Sequence, residues 1–406
     1  MIRRSSLVTG LACLLIALTI SVGSNPARFG QHGNRPTTEV RIEKAFAGIV
    51  FFSGQVNSVG PLGFLLDTGG AGCLIDTAVA TRLALKTERA QATTSGNNEL
   101  EVGLIQSAKV QIGEIQFQGR LIASPLSHLE PIFGRPLEGI LGGDFLRRYV
   151  VELDFETNVM RLYEPTGFRY EGRALAIPLT LIQDLPFVDL DISLPNGKSI
   201  KGSFLIDSGG NMVVHVFKPI AERDNLANGL ETLAETGHGI GGTTRRVAVR
   251  GSALALGSFQ FARPVVVFTG DTAVLRANPA SSGLIGMEVL RRFKVTFDYS
   301  RSRIYLEPNR AFAEPFVYDA SGLGLRAARP AFSPPYVASV ITSSPAEQAG
   351  IQPDDVLLEI GGRSTSGVNL EVIRETLQQP GKQHSLTLSR GQKTIKTTLR
   401  TRELLN

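Results

Sequence analysis

Two stretches of this sequence repeat each other at long range. Residues 139–155 read GILGGDFLRRYVVELDF and residues 283–299 read GLIGMEVLRRFKVTFDY, an offset of 144. Upstream, FLLDTGG at 64–70 is matched by FLIDSGG at 204–210, an offset of 140, and RLYEP and IYLEP close the two halves. A period this long is not that of a solenoid, whose units run roughly 20–50 residues. It requires two copies of one domain. Between the repeats the chain runs in short β-like segments (GIVFFSGQV, KVQIGEIQF, FVDLDISL, VAVRGSALALG) broken by Gly, Asn and Pro, so each copy is a β domain. Helical pattern is sparse. DTAVATRLAL, with Asp76 as N-cap, and FKPIAERDNL each predict one brief helix soon after an Asp-Thr/Ser-Gly-Gly.

Each copy drives an aspartate, Asp67 or Asp207, in behind three apolar residues, where desolvating a carboxylate is costly. A single Asp-Gly segment would read as a strand-ending turn; a duplicated one calls for a shared reason. Two carboxylates within hydrogen-bonding distance cannot both ionise, so the pair becomes a base and an acid side by side. Such a pair activates water and protonates an amide leaving group with neither metal nor covalent intermediate. It needs tight, uncrowded turns, which Gly69, Gly70, Gly209 and Gly210 provide. Thr68 and Ser208 add hydroxyls able to tie one loop to the backbone of the other.

With these motifs, residues 40–309 resemble two retropepsin-type aspartic protease domains fused in tandem. The aliphatic-aliphatic-Gly runs ILG (140–142) and LIG (284–286) extend the likeness. The resemblance implies a mainly β fold: two retropepsin-like β-barrel domains forming a pseudo-two-fold bilobal unit. It implies an endopeptidase with Asp67 and Asp207 as the catalytic dyad, supported by Thr68, Gly69, Ser208 and Gly209. It also implies that the Gly-ended strands cross behind the catalytic loops. Active-site flaps are expected at glycine-rich hairpin tips: ETGHGIGG (235–242), with His238, Gly239, Gly241 and Gly242, and more weakly TTSGNN (93–98), with Ser95 and Gly96. His238 could touch substrate there. Pepsin-like enzymes carry Ser or Thr where Gly70 and Gly210 stand. Loss of those hydroxyls predicts an active window moved to weakly acidic pH, roughly 4–6.

From about residue 321 the composition changes. GLGL (322–325), then SPAEQAGIQPDDVLLEIGG (344–362) and a helix over roughly 368–379, resemble a PDZ domain with an α+β fold. Glycines 322 and 324 let successive N–H groups near Leu323 and Leu325 point at one anion. The resemblance therefore implies capture of a peptide C-terminus beside a strand edge. The resulting plan is a signal segment at 1–23, a flexible lead-in at 24–38, protease-like domains at 39–170 and 171–309, a linker at 310–320, and a PDZ domain at 321–402.

MIRRSS followed by the 16-residue apolar run LVTGLACLLIALTISV reads as a signal peptide, too short at about 24 Å to span a bilayer core as a helix. Export to the periplasm or beyond is expected, with an uncleaved tether as the alternative. Cys13 lies inside that run, in GLAC, without the leucine that a lipid-attachment motif carries three residues earlier. Cys73 would then be the one mature cysteine, which excludes disulfide and Cys-rich metal scaffolds. No cofactor is expected, and no histidine spacing suggests a metal. His215, in VVHV, reads as a half-buried strand histidine. The net charge of +5 is unclustered and argues against nucleic acid. Protein or peptide substrates are the expected partners, and one motif per half makes a dimer unnecessary. Two other readings stand beside this one. DSGG also occurs in trypsin-like enzymes, which would make Ser208 a nucleophile in an HtrA-like serine protease, although only His32 and His128 precede it in the mature chain. The duplicated fold could also serve as an inactive peptide-binding adaptor.

Overall fold

The computed structural model describes residues 9–11, 35–93, 99–239 and 242–405. Most of the expected signal segment and lead-in therefore lies outside the described residues. Thr9–Leu11 forms a short strand parallel to Thr236–His238.

The duplicated halves are two lobes, each built around its own sheet. In lobe 1 the spatial order of strands is Glu43–Ala45, Ile49–Val56, Val59–Leu66, Gly139–Leu141, Leu74–Asp76, Ile115–Ser124, Glu99–Ile112 and Glu88–Thr93. Lobe 2 repeats the central part, with Gly283 to Ile285 lying between Ser199–Ile206 and Val214–Phe217. These central strands are apolar on both faces, as the unbroken runs FLL and FLI require.

The lobes meet in a six-stranded sheet ordered Ala176–Pro178, Arg303–Pro308, Phe293–Asp298, Val150–Asp154, Val159–Tyr163 and Thr38–Arg41. At its centre Val151 pairs with Phe297, Glu152 with Thr296 and Leu153 with Val295. The sequence offset of 144 carries residue 152 onto 296, so Glu152 faces its own counterpart and the pseudo-two-fold axis passes through that pair. One buried apolar cluster runs through both lobes, and the C-terminal domain has a separate core. Both expected helices are present, as Thr77–Arg82 and Lys218–Arg223. Asp76 caps the first by accepting from the Ala78 and Val79 amides.

The C-terminal domain carries strands Leu323–Arg326, Tyr336–Val340, Val356–Ile360, Gln383–Arg390 and Lys393–Arg400, with helices Pro345–Gln348 and Leu370–Leu377. The segment 310–320, expected as a linker, is packed onto lobe 2. Arg292, fully buried, donates to the carbonyls of Ala311 and Pro315 at 3.1 and 3.3 Å and lies 4.0 Å from the centre of the Phe316 ring. The C-terminus returns to the same place. The amides of Arg402 and Leu404 donate to the carbonyls of Ala320 and Asp319, and Leu405 sinks into the apolar cluster of the lobes. Both ends of the C-terminal domain are thus fixed to lobe 2. No composition signal marks this, because these polar contacts all end on distant backbone carbonyls, which any residue carries.

Replacing Arg292 with Met keeps the apolar bulk but strands those carbonyls. The loss should be about 2–4 kcal/mol in urea unfolding. A change under about 0.5 kcal/mol would show that the segment is not held this way.

Candidate active site

The strand ends at Leu66 and Ile206 deliver the two aspartates. Behind each loop a Gly-ended strand runs parallel to the incoming one, with Leu141 beside Leu66 and Ile285 beside Ile206. The Asp67 amide donates to Leu141 O and the Asp207 amide to Ile285 O, both at 2.9 Å. Gly143 and Met287 then donate to the carbonyls of Gly70 and Gly210 at 2.7 and 2.8 Å. A side chain on Gly142 or Gly286 would strike those same carbonyls, so the glycines of ILG and LIG are steric requirements.

The loops grip each other. Thr68 N–H donates to Ser208 Oγ and Ser208 N–H to Thr68 Oγ1, both at 2.9 Å. Thr68 Oγ1 donates onward to Ile206 O at 2.7 Å, and Ser208 Oγ to Leu66 O at 2.9 Å. All four bonds are buried and obey the two-fold symmetry. The Ser208 hydroxyl is thereby committed to backbone partners, and no histidine is among them.

This grip brings the carboxyls of Asp67 and Asp207 into a side-chain hydrogen bond. Each also accepts from the glycine two residues on: Gly69 N–H to Asp67 Oδ1 at 2.8 Å, and Gly209 N–H to Asp207 Oδ1 at 3.0 Å. Relative exposures are 1% for Asp67 and 0% for Asp207. Burial, and then the charge of Asp207, pushes the Asp67 carboxyl well above its ordinary value; the Gly69 amide pulls the other way. Asp67 therefore favours its protonated form beside Asp207.

A Cβ on Gly209 would lie 2.7 Å from the Asp67 carboxyl carbon. One on Gly210 would overlap Asp207 Oδ2 and the Met212 side chain. Gly210 is thus demanded by space beside Asp207. A Gly210→Ser exchange would displace the carboxylate as well as add a hydroxyl, so the expected pH effect of glycine here cannot be isolated by that substitution.

Both flap expectations fall on real hairpins. Leu233–Gly239 and Gly242–Arg250 form the one in lobe 2, and Glu88–Thr93 with the start of Glu99–Ile112 the one in lobe 1. Residues 94–98 and 240–241, and with them Ser95, Gly96 and Gly241, lie outside the described residues. The backbones of His238 and Gly239 belong to the lobe 2 hairpin strand, and Gly242 begins its return at φ +111°. Sequence reasoning passed over Glu235 in this hairpin. It is buried, accepts from the Tyr318 hydroxyl at 2.6 Å, and is pushed upward by burial against the pull of Arg246. His215 is fully buried, not half-buried, and burial followed by Arg246 holds it well below its ordinary value, hence neutral. Cys73 is buried and its thiol is pushed up to about 12, which makes it inert.

In the C-terminal domain the glycine loop already holds an anion of its own. Buried Asp319 accepts from the amides of Ser321 and Gly322, at 2.8 and 3.2 Å, and Ser321 Oγ accepts from Leu323 N–H at 3.1 Å. Gly322 sits at φ +79°, where a Cβ would overlap Ser344. Gly324 and Leu325 continue into the strand that follows.

Two outcomes test the grip and the shared proton. Thr68→Val orphans the Ile206 carbonyl and the Ser208 amide and should cost roughly 2–4 kcal/mol in chemical unfolding; a loss under about 0.5 kcal/mol would contradict the grip. Asp67→Asn should stabilise the protein, and more so at pH 7 than at pH 3. A raised carboxyl binds its proton more tightly folded than unfolded. Its stability contribution is therefore intact below the unfolded value near ~3.9 and is lost as pH rises toward the folded value. Melting curves at the two pH values should show the mutant's advantage growing with pH, and an advantage that shrinks would reverse the assignment.

A scan against protein families matches residues 52–145 and 188–289 to the family described as aspartyl protease, and residues 336–390 to the PDZ domain. A search of curated proteins finds no match. The two aspartyl protease matches span the two Asp-Thr/Ser-Gly-Gly loops, and the third covers most of the C-terminal sheet. The chain thus carries two aspartyl protease domains in tandem, followed by a PDZ domain.

Proposed function

We propose that the chain is an aspartic endopeptidase in which Asp67 and Asp207 act as one catalytic pair. The observation that carries this is the symmetric delivery of two buried, mutually hydrogen-bonded carboxyls by interlocked loops. The ionised partner takes a proton from a water aimed at the scissile carbonyl, while the protonated partner stabilises the developing oxyanion. The proton taken from water then passes to the amide nitrogen as the C–N bond breaks. Thr68 and Ser208 hold the loops, and Gly69 and Gly209 supply amides that fix the inner carboxyl oxygens. The two hairpins serve as flaps over an extended peptide. The PDZ domain receives a peptide C-terminus by strand addition at Leu323–Arg326, with micromolar affinity expected for such a module, about −8 kcal/mol. The apolar N-terminus supports export.

A pair sharing one proton works between its two apparent pKa values. Burial and mutual repulsion both raise the upper one, so the optimum should sit at weakly acidic pH, roughly 4–6. The test is cleavage of a mixed peptide library across pH, with and without pepstatin. Asp67→Asn and Asp207→Asn should each lower turnover by at least about 10²–10⁴-fold while the far-ultraviolet circular dichroism is unchanged. Full activity in either mutant would remove the dyad, and absence of any pepstatin-sensitive cleavage by the unmodified chain would leave a binding protein.

A further inference from the structure

The strand Leu323–Arg326 lies at the edge of the PDZ sheet. It pairs with Tyr336–Val340 on one side; Ile341 N–H reaches Gly322 O there, so the even-numbered residues face that neighbour. By the pleat, residues 323, 325 and 327 face the other edge, where an added peptide strand would bond. That edge is occupied by the rest of the chain.

Ala327 N–H donates to Pro131 O of lobe 1 at 2.9 Å. Leu325 O accepts from Arg374 Nη2 at 2.7 Å, and the same nitrogen donates to Ile132 O, also at 2.7 Å. Pro131 and Ile132 belong to the lobe 1 helix Glu130–Phe133, and Arg374 to the PDZ helix Leu370–Leu377. At the mouth of the groove a Cβ on Gly134 would lie 2.9 Å from Leu370 Cβ. Two clasps, one an ion pair and one a carboxylate on backbone amides, flank this seam. Arg329 grips the buried Glu130 carboxylate, with its Nε 2.6 Å from Oε2. Glu371 accepts the amides of Phe46 and Ala47 at 2.6 and 2.8 Å.

We propose that the PDZ groove is held shut by lobe 1 of the same chain, and that a peptide C-terminus opens it by displacing Pro131 and Ile132 from the groove strand and helix. This rests on reading the domain as a receptor for peptide C-termini. Peptide and lobe 1 compete for the same strand edge: Pro131 C=O takes Ala327 N–H, and Ile132 C=O helps hold the Arg374 guanidinium that covers Leu325 C=O, so both cannot be bound together. The apparent affinity of the full chain is lowered by the fraction of molecules in which the groove stands open.

The contact reaches the dyad. Glu371 and Arg374 of the groove helix line a cavity of about 110 Å³ that Asn211 and Met212 also line. Met212 packs against Gly210, beside Asp207. Arg374 is 93% buried, stacks on Phe46 at 4.5 Å and turns Nη1 toward Glu371 at 3.8 Å without hydrogen-bonding it. Opening the groove therefore breaks the bonds that set one wall of this cavity.

The probe is a fluorescein-labelled hexapeptide ending in Leu-Val with a free carboxylate, its apolar end suited to the leucines around the groove, with the amidated form as control. Arg329→Ala and Glu371→Gln each remove a clasp without touching the groove strand or the glycine loop. In the full chain each should tighten binding of the free-acid peptide about 5- to 20-fold in fluorescence anisotropy. Saturating peptide should raise amide exchange in residues 130–134 of the unmodified chain, and melting curves should confirm that both variants are folded. Equal affinity in all three proteins, or unchanged exchange at 130–134 under saturation, would overturn the closure. Failure of the free-acid peptide to bind even the two variants would overturn the peptide-receptor reading, and the closure with it. That last result leaves library cleavage by the dyad untouched, so the two proposals fail separately.

Discussion

The reciprocal exchange between residues 68 and 208 is the interaction on which the geometry of the candidate site rests. Each hydroxyl accepts an amide proton from the opposite loop and donates its own to the carbonyl that ends the strand entering that loop. Buried backbone groups left unpaired cost about 1–3 kcal/mol each, so the four bonds are strongly enforced. They bind loops rather than sheets. The lobes are joined broadly by the six-stranded sheet, but only the grip sets where two carboxyls meet.

The same geometry is costly for folding. Two acids sealed at 1% and 0% exposure repel each other and lack water, and the amides of Gly69 and Gly209 offset that only in part. The surrounding glycines are consistent with this crowding: at 209 and 210 the space a methyl group would need is taken by the carboxyls. A site built this way trades stability for a proton held in place, which is the usual direction of that exchange.

Much of this was legible from residues. The 144-residue offset foretold two lobes, the apolar approach to Asp67 and Asp207 foretold burial, and Asp76 marked its helix correctly. Pattern could not reveal the packing of 310–320 or the return of Leu405, because Arg292 and Arg250 make those contacts through backbone carbonyls that any residue carries. The internal partner of the glycine loop was not legible for a related reason. GLGL announces amides that seek an anion, and the nearest anion is Asp319, three residues ahead of the motif and unremarkable in sequence. Glu130 and Glu371 were invisible for want of any local pattern, since the partner of each lies more than 190 residues away.

The pairing of Glu152 with Thr296 bears on how such a chain could arise. Two separate, identical lobes assembled about the same axis would set this position against itself. A glutamate there would face a glutamate across the strands, a like-charge pair that destabilises a sheet. In the fused chain the copies are free to differ. Lobe 1 keeps the acid and neutralises it with Arg161 at 2.9 Å, while lobe 2 sets an uncharged threonine opposite. Covalent fusion thus lifts a constraint that self-association would impose, and position 152 is where the molecule has used that freedom.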